Sequence, residues 1–222
     1  MTIIVFLGKP GSGKGTIASR AAKLLKSDHV AMGDLLREEA RKNTPLGNRI
    51  RERMVSGKMI KDGDSFDVIR KRLSRQKNDF VLDGFPRYMR QALFLSKALN
   101  HLNQSVSLAV ELLVSDALCV KRLSSRWQCK GCHAIYNTVS LKPKKKGFCD
   151  RCHGKLFRRD DDNPRAIRER LKEFRNETIP VIRFYQTQGL LFRLDASKAN
   201  PARLAQFVLR ELKKRHSALT EH

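Results

Sequence analysis

No apolar run in the sequence approaches the length of a membrane span, which argues against a spanning segment. The chain opens almost at once on an apolar strand, with no stretch that reads as a secretory leader, so a cytoplasmic protein is expected. Acidic residues are scarce: 22 Asp and Glu face 46 Lys and Arg, a formal net charge of +24. That imbalance suits polyanionic ligands such as nucleotides, nucleic acid or acidic membrane surfaces. A phosphate site needs only a few of these charges, so most of them read as a solvated basic surface. Aromatic residues are also few, with 1 Trp and 3 Tyr. The basic run Lys142-Pro143-Lys144-Lys145-Lys146 has only Tyr136 as a stacking candidate, which counts against a single-strand nucleic-acid platform. Neither an internal repeat nor a long linker is visible. With 222 residues and 41% hydrophobic content, the chain is expected to be globular, with one sizeable core and small inserted lobes.

Disulfides are not expected either. Four of the five cysteines form two pairs, Cys129-x-x-Cys132 and Cys149-x-x-Cys152. In a chain without a leader this spacing points to a zinc site. His133 and His153 adjoin the cysteines, but the symmetric pairing makes them bystanders. Four thiolates close a tetrahedral site and leave no open position, so the metal reads as structural. Cys119 is left over and reads as a small core residue.

What the sequence does have is a phosphate-binding loop. Gly8-Lys9-Pro10-Gly11-Ser12-Gly13-Lys14-Gly15-Thr16 follows the β-branched strand Ile3 to Leu7 and precedes a helical pattern from Ile17 to Lys26. Glycines let the backbone wrap an anion with its N–H groups inward. The helix N-terminus adds positive potential, and Lys14 reaches the outer phosphates. The hydroxyl that usually follows the lysine is displaced: Gly15 stands there, and Thr16 comes one place later.

Further strands are expected at Asp79 to Leu82, Val106 to Val114 and Leu190 to Leu194, alternating with amphipathic helices. Asp83 ends the second of these four strands, where a partner for Mg²⁺ belongs. Leu46, Ile50 and Met54 mark one face of a short helix, and residues 31–60 read as a small helical insertion. Ser115-Asp116 caps a helix expected to run to Trp127, with Arg122 and Arg126 on one face. Asn163 and Pro164 open a long helix that Pro180 interrupts.

Taken in order, GKPGSGKGT, HVAMGDLLR, SGKMI, DGFPRYMRQ, the Arg122/Arg126 pair, the paired cysteines, RRDDD and the Ser197-Lys198 loop are similar to the motifs of the adenylate kinase family. DGFPR after a buried strand is the most specific of them. The four-cysteine insertion resembles the zinc-binding lid of long-form members. The resemblance covers essentially the whole chain. It implies an α/β, P-loop NTPase-type three-layer fold with a parallel central sheet, an inserted helical lobe for the nucleoside monophosphate and a zinc-tied lid. It divides the chain into a core (1–30, 61–126 and 163–222), the monophosphate lobe (31–60) and the lid (127–162).

The same resemblance implies the site. Gly11, Ser12, Gly13, Lys14, Gly15 and Thr16 would hold the ATP phosphates, with Asp83 reaching Mg²⁺ through water. Arg122, Ile135, Tyr136 and Lys198 would surround the donor adenine. Met32, Arg37, Lys58, Met59, Ile60, Gly84, Phe85, Pro86, Arg87 and Gln91 would line the AMP site, Arg37 and Arg87 clamping its phosphate and Gln91 reading its base. Arg126, Arg159 and Arg170 would close over the phosphoryl groups in flight. Lys14, Arg87, Arg126, Arg159 and Arg170 are the expected catalytic set. Met32 departs from the family, which often has Thr there. The implied function is reversible, Mg²⁺-dependent phosphoryl transfer from ATP to AMP, giving two ADP, by a monomer without membrane attachment. Two alternatives stand beside it: a kinase for another nucleoside monophosphate, and a basic zinc-ribbon and P-loop protein that binds nucleic acid.

Overall fold

The computed structural model describes residues 1–55, 60, 62–76, 78–137, 141–159, 162–198 and 200–220, without the side chains of 55, 216 and 218–220. Its centre is β1 (Ile3–Gly8), buried along its whole length. Alternate residues of a strand face opposite sides. Ile3, Val5 and Leu7 join one apolar cluster, and Ile4 and Phe6 join another. A strand covered on both faces must be apolar throughout, which explains the unbroken run.

Around β1 lies a five-stranded parallel sheet in the order β2-β3-β1-β4-β8. Its other members are β2 (Asp28–Ala31), β3 (Phe80–Asp83), β4 (Leu108–Leu113) and β8 (Leu191–Asp195). Helices α1 (Lys14–Leu24), α2 (Met32–Ala40), α3 (Pro45–Val55), α4 (Asp62–Leu73), α5 (Met89–Asn100), α6 (Asp116–Ser124), α7 (Pro164–Glu173), α8 (Ile179–Thr187) and α9 (Pro201–Thr220) surround it. One face is covered by apolar residues of α4, α5 and α8, the other by those of α1, α6, α7 and α9. This is the three-layer α/β architecture expected of a P-loop fold. Connections emerge at the carboxyl ends of the strands, where ligands bind in such sheets.

Three local readings need correction. β2 was not visible in the sequence: it is four residues long, opens on Asp28 and His29, and is a strand because it pairs with β3 from Asp28–Phe80 to Ala31–Asp83. The helix after Ser115 stops at Ser124 and does not reach Trp127. Arg126 instead opens β5 (Arg126–Cys129), where Trp127 and Gln128 pair with Tyr136 and Ile135 of β6 (Ile135–Asn137). Cross-strand pairing overrides the helical spacing there. The break near Pro180 begins earlier: α7 passes into a π-helical turn, Phe174–Thr178, before α8 resumes. Proline has no N–H for the carbonyl four residues back, and the wider turn absorbs the mismatch.

Strands β5, β6 and β7 (Leu156–Phe157) form a separate antiparallel sheet in the order β6-β5-β7. Among the described residues its buried apolar set is Cys129, Ala134, Tyr136, Cys149 and Leu156, with Trp127 packed alongside. So small a core needs a further tie.

Candidate active site

The loop between β1 and α1 has glycine where its geometry demands it. Gly11 has φ +82°, and a Cβ there would lie 2.7 Å from the carbonyl oxygen of Cys119. Gly13, the N-cap of α1, is left-handed at φ 92°. The Ser12 hydroxyl is buried in this loop with no hydrogen-bond partner among the described residues. An orphaned buried hydroxyl in a glycine-rich loop at a helix N-terminus fits an anion.

Lys14 begins α1, and its Nζ donates to the carbonyl of Lys9 at 2.9 Å. Its pKa is pushed down to about 8, first by loss of solvent and then by Arg87 and Arg170, while Asp83 works the other way. Cations from three segments therefore share one field at the mouth of the loop. They come from α1, from the turn after β3 and from α7.

Asp83 ends β3, half-buried, with Oδ2 4.0 Å from His29 Nε2. A Cβ on Gly15 would stand 2.9 Å from that same oxygen. A side chain at position 15 would therefore need the Asp83 carboxylate to shift. A carboxylate oxygen at this place suits a hard divalent cation. Lys9, by contrast, turns away from the loop cavity: its Nζ pairs with Asp116 at 2.6 Å and donates to the Val114 carbonyl at 3.0 Å.

The turn after β3 carries Gly84, at φ 77°, a cis Phe85–Pro86 peptide and Arg87. Phe85 is buried in the core. Arg87 is exposed, and its Nε donates to the Gly84 carbonyl at 3.0 Å. The Arg87 N–H donates to Oε1 of the buried Gln91 at 2.8 Å, and Gln91 Nε2 donates to Asp62 at 3.1 Å. Among the described residues, one N–H and one lone pair of Gln91 have no partner. Met32 is buried in the core at the start of α2, and Ile60 packs at its edge. Arg37 pairs with Asp34 one turn away, while its Nε is buried without a partner among the described residues. Lys58 and Met59 lie outside the described residues.

Arg126 and Arg170 meet on one carboxylate. Arg126 places Nε and Nη2 on Asp162 at 2.7 and 2.5 Å, and Arg170 Nη1 stands 3.4 Å from it. The Asp162 side chain is 1% exposed. Arg159 is half-buried nearby in sequence, and its carbonyl accepts the Asp162 N–H at 3.1 Å. The sequence marks Asp162 only as part of an acidic run that follows Arg158 and Arg159.

On the donor side, Arg122 reaches the carbonyls of Ser12, Ala196 and Ser197 at 3.4, 2.9 and 3.1 Å, joining the phosphate loop to the loop after β8. Ile135 is half-exposed and Lys198 exposed. Tyr136 is placed differently from the expectation: it is buried in the small lobe, its hydroxyl 3.3 Å from Cys149 Sγ and accepting the Asp150 N–H at 2.7 Å. Its ring serves the cysteine cluster, which also removes the one stacking candidate of the nucleic-acid alternative.

All four sulfurs of Cys129, Cys132, Cys149 and Cys152 lie within 4.8 Å of one another. The pairs Cys129–Cys152 and Cys132–Cys149 are 3.4 and 3.5 Å apart. Tetrahedral zinc with bonds of about 2.3 Å needs sulfur–sulfur edges of about 3.8 Å, so the cluster fits. Burial opposes ionisation of Cys149, but hydrogen bonds from Tyr136 and from the N–H groups of Arg151 and Cys152 hold its thiol down to about 6. His133 and His153 are not members of the cluster.

A family model described as Adenylate kinase matches residues 6–190. The chain is 39% identical over 196 residues to an adenylate kinase of Thermosipho melanesiensis, covering 87% of this chain and 92% of that protein. It is 36% identical over 197 residues to one from Archaeoglobus fulgidus (88% and 91%). It is 40% identical over 200 residues to one from Thermotoga neapolitana (89% and 91%). The chain belongs to the adenylate kinase family. It is accordingly a phosphotransferase of the nucleoside monophosphate kinase type, a class that uses Mg²⁺ with ATP. No helix among the described residues is long and apolar enough to cross a membrane.

Proposed function

We propose that this adenylate kinase family member transfers a phosphoryl group reversibly between ATP and AMP, giving two ADP, as a cytoplasmic monomer. The observation that supports it best is the phosphate loop itself, with left-handed glycines at Gly11 and Gly13, Lys14 opening α1, and a buried Ser12 hydroxyl that has no partner among the described residues. The acceptor is a phosphate oxygen, anionic at neutral pH, so no general base is required. Two polyanions must instead be brought into line and their charge offset. Arginine suits that task because its planar fork binds phosphate at two points and stays charged.

In this reading the loop from Gly11 to Thr16 cradles the donor phosphates, and Ser12 gives its hydroxyl to one of them. Mg²⁺, held by Asp83 through water, would supply charge stabilisation on the phosphoryl oxygens. Arg37 and Arg87 clamp the acceptor phosphate, and Gln91 reads the base beside Met32 and Ile60. Asp162 keeps Arg126 and Arg170 close to the site, where phosphate oxygens then compete for them. Residues 31–60 form the acceptor lobe and 127–162 a lid, which excludes water as a rival acceptor. Arg122, Ile135 and Lys198 lie on the donor-base side.

The test is ADP formation by purified protein from ATP with AMP, CMP, UMP or GMP in turn. AMP is the expected preferred acceptor. Folded protein that forms no ADP with any of the four would overturn the reading, and preference for CMP would leave only the broader monophosphate kinase assignment.

A further inference from the structure

Tyr88 stands at the N-cap of α5 with extended backbone, yet its side chain makes no capping bond. Ser, Thr, Asp and Asn cap helices because their short side chains fold back on the first turn. A tyrosine gives that up. Its hydroxyl instead crosses to a distant segment and donates to Oε1 of Glu173, 85 residues on. Glu173 is the last residue of α7 and lies one helical turn beyond Arg170. Burial, and then the Glu173 carboxylate, push the Tyr88 phenol far above its ordinary range, so it stays a donor.

A second bond joins the same two segments. Thr178 Oγ1 donates to the carbonyl of Arg87 at 3.1 Å. Thr178 is buried and ends the π-helical turn. One residue more or less in that turn would swing the threonine by about 100° around the helix. The Arg87 main chain is therefore held at its N–H by Gln91 and at its carbonyl by Thr178, while its side chain stays exposed.

We propose that Tyr88, Glu173 and Thr178 are positioning residues, a latch that fixes the Arg87 turn to the end of α7 so that Arg87 and Arg170 meet the phosphates as one unit. The proposal rests on the phosphate-binding reading of those two arginines. Alignment is the main work of such a site, so a small loss of register costs turnover more than donor binding.

Steady-state kinetics on Tyr88→Phe, Glu173→Leu, their double variant and Glu173→Gln test it. Each of the first two is expected to lower kcat about threefold to tenfold, the scale of one lost hydrogen bond, with KM for ATP within about twofold of wild type. The double variant should be no worse than the poorer single, because both remove one bond. Glu173→Gln should retain most activity, since its amide oxygen still accepts from the phenol. Lower melting temperatures with unchanged kcat would reduce the contact to ordinary packing and overturn the proposal. Amide hydrogen exchange of the ligand-free protein gives an independent readout: in Tyr88→Phe, 84–88 and 170–178 should both exchange faster, and no change in either overturns the latch. Exchange needs no turnover, so an inactive wild-type protein would count against the phosphoryl-transfer reading and not against the latch.

Discussion

A Cβ on Gly15 would lie 2.9 Å from Oδ2 of Asp83, closer than two such atoms approach. A side chain at the position after the phosphate-loop lysine fits only if the Asp83 carboxylate shifts. Gly15→Ser should therefore restore a hydroxyl and still lose function. The expected result is a drop in kcat of about tenfold or more, since Asp83 must move from the position proposed to serve Mg²⁺. Stability should hold or rise slightly, because serine is the better helix former by roughly 0.5 kcal/mol. Turnover and thermal melting measured together check this. A serine variant with full activity would show that Asp83 does not need its present place.

Lys14 should make nucleotide binding depend on pH. Its pKa in the ligand-free site is pushed down to about 8 by loss of solvent and by Arg87 and Arg170. Phosphates beside the ammonium raise it again on binding. A group whose pKa is higher in the bound state adds affinity that is complete below the free value and fades as pH climbs through the bound value. ATP affinity should thus be flat below about pH 8 and weaken above it, with proton uptake on binding. Calorimetry near pH 8.5 in buffers of different ionisation enthalpy measures that uptake. Lys14→Met should abolish both the uptake and phosphoryl transfer while circular dichroism stays native. Equal heats in all buffers for the wild type would sink the idea.

Where local pattern and chemistry agree, the sequence was readable. β1, the loop and β3 combine buried apolar runs with a motif that fits only at their carboxyl ends, and the structure has them there. Ser115 and Asn163 cap their helices as expected, accepting from Leu118 and Ala166 N–H groups. Apart from the π-helical turn before Pro180, which proline sets locally, the failures were decided at a distance. β2 exists through its partner β3, and Arg126 is on a strand because Trp127 and Gln128 find β6. No periodicity announces that Tyr88 will reach Glu173, or that Asp162 will gather Arg126 and Arg170. Tyr136 is legible only as an aromatic residue; its use as a hydrogen-bond donor in the cysteine cluster depends on the pairing of β6 with β5.

The cysteine cluster should hold one Zn²⁺ per chain. Metal analysis of protein purified without chelator checks the stoichiometry, and Cys119→Ser should not alter it. Cys132 is exposed and Cys149 buried, so replacing either tests whether exposure matters. Both should lose the metal, because four ligands are needed to close the site. Removal should loosen residues 127–157 before the main sheet, since their shared apolar cluster is small. Activity should then fall with lid order. Unchanged melting and activity after complete metal removal would refute the structural role.

Acceptor choice is the most demanding expectation. Gln91 is buried, its oxygen on the Arg87 N–H and its nitrogen on Asp62, with one donor and one acceptor site left over. Adenine offers a matching donor and acceptor on one edge, so a single amide can read the base and still hold Arg87. Met32 offers only apolar contact and lies within the core. Gln91→Leu should lower catalytic efficiency with AMP by about tenfold or more, and should also destabilise the fold by about 1–3 kcal/mol because the Arg87 N–H loses its partner. Gln91→Glu combined with Asp62→Asn separates the two effects, because Asp62 faces the Gln91 amide and a second carboxylate there would repel it. The pair keeps an oxygen for Arg87 but gives up the Gln91 NH₂ group, so selectivity for AMP should fall further than its stability alone explains. Met32→Thr should be neutral or mildly favourable for AMP, although removing apolar volume from the core costs stability. Competition between equal AMP and CMP decides the matter: if wild-type enzyme phosphorylates CMP first, or if Gln91→Leu changes stability without changing that ratio, Gln91 holds the turn and does not read the base.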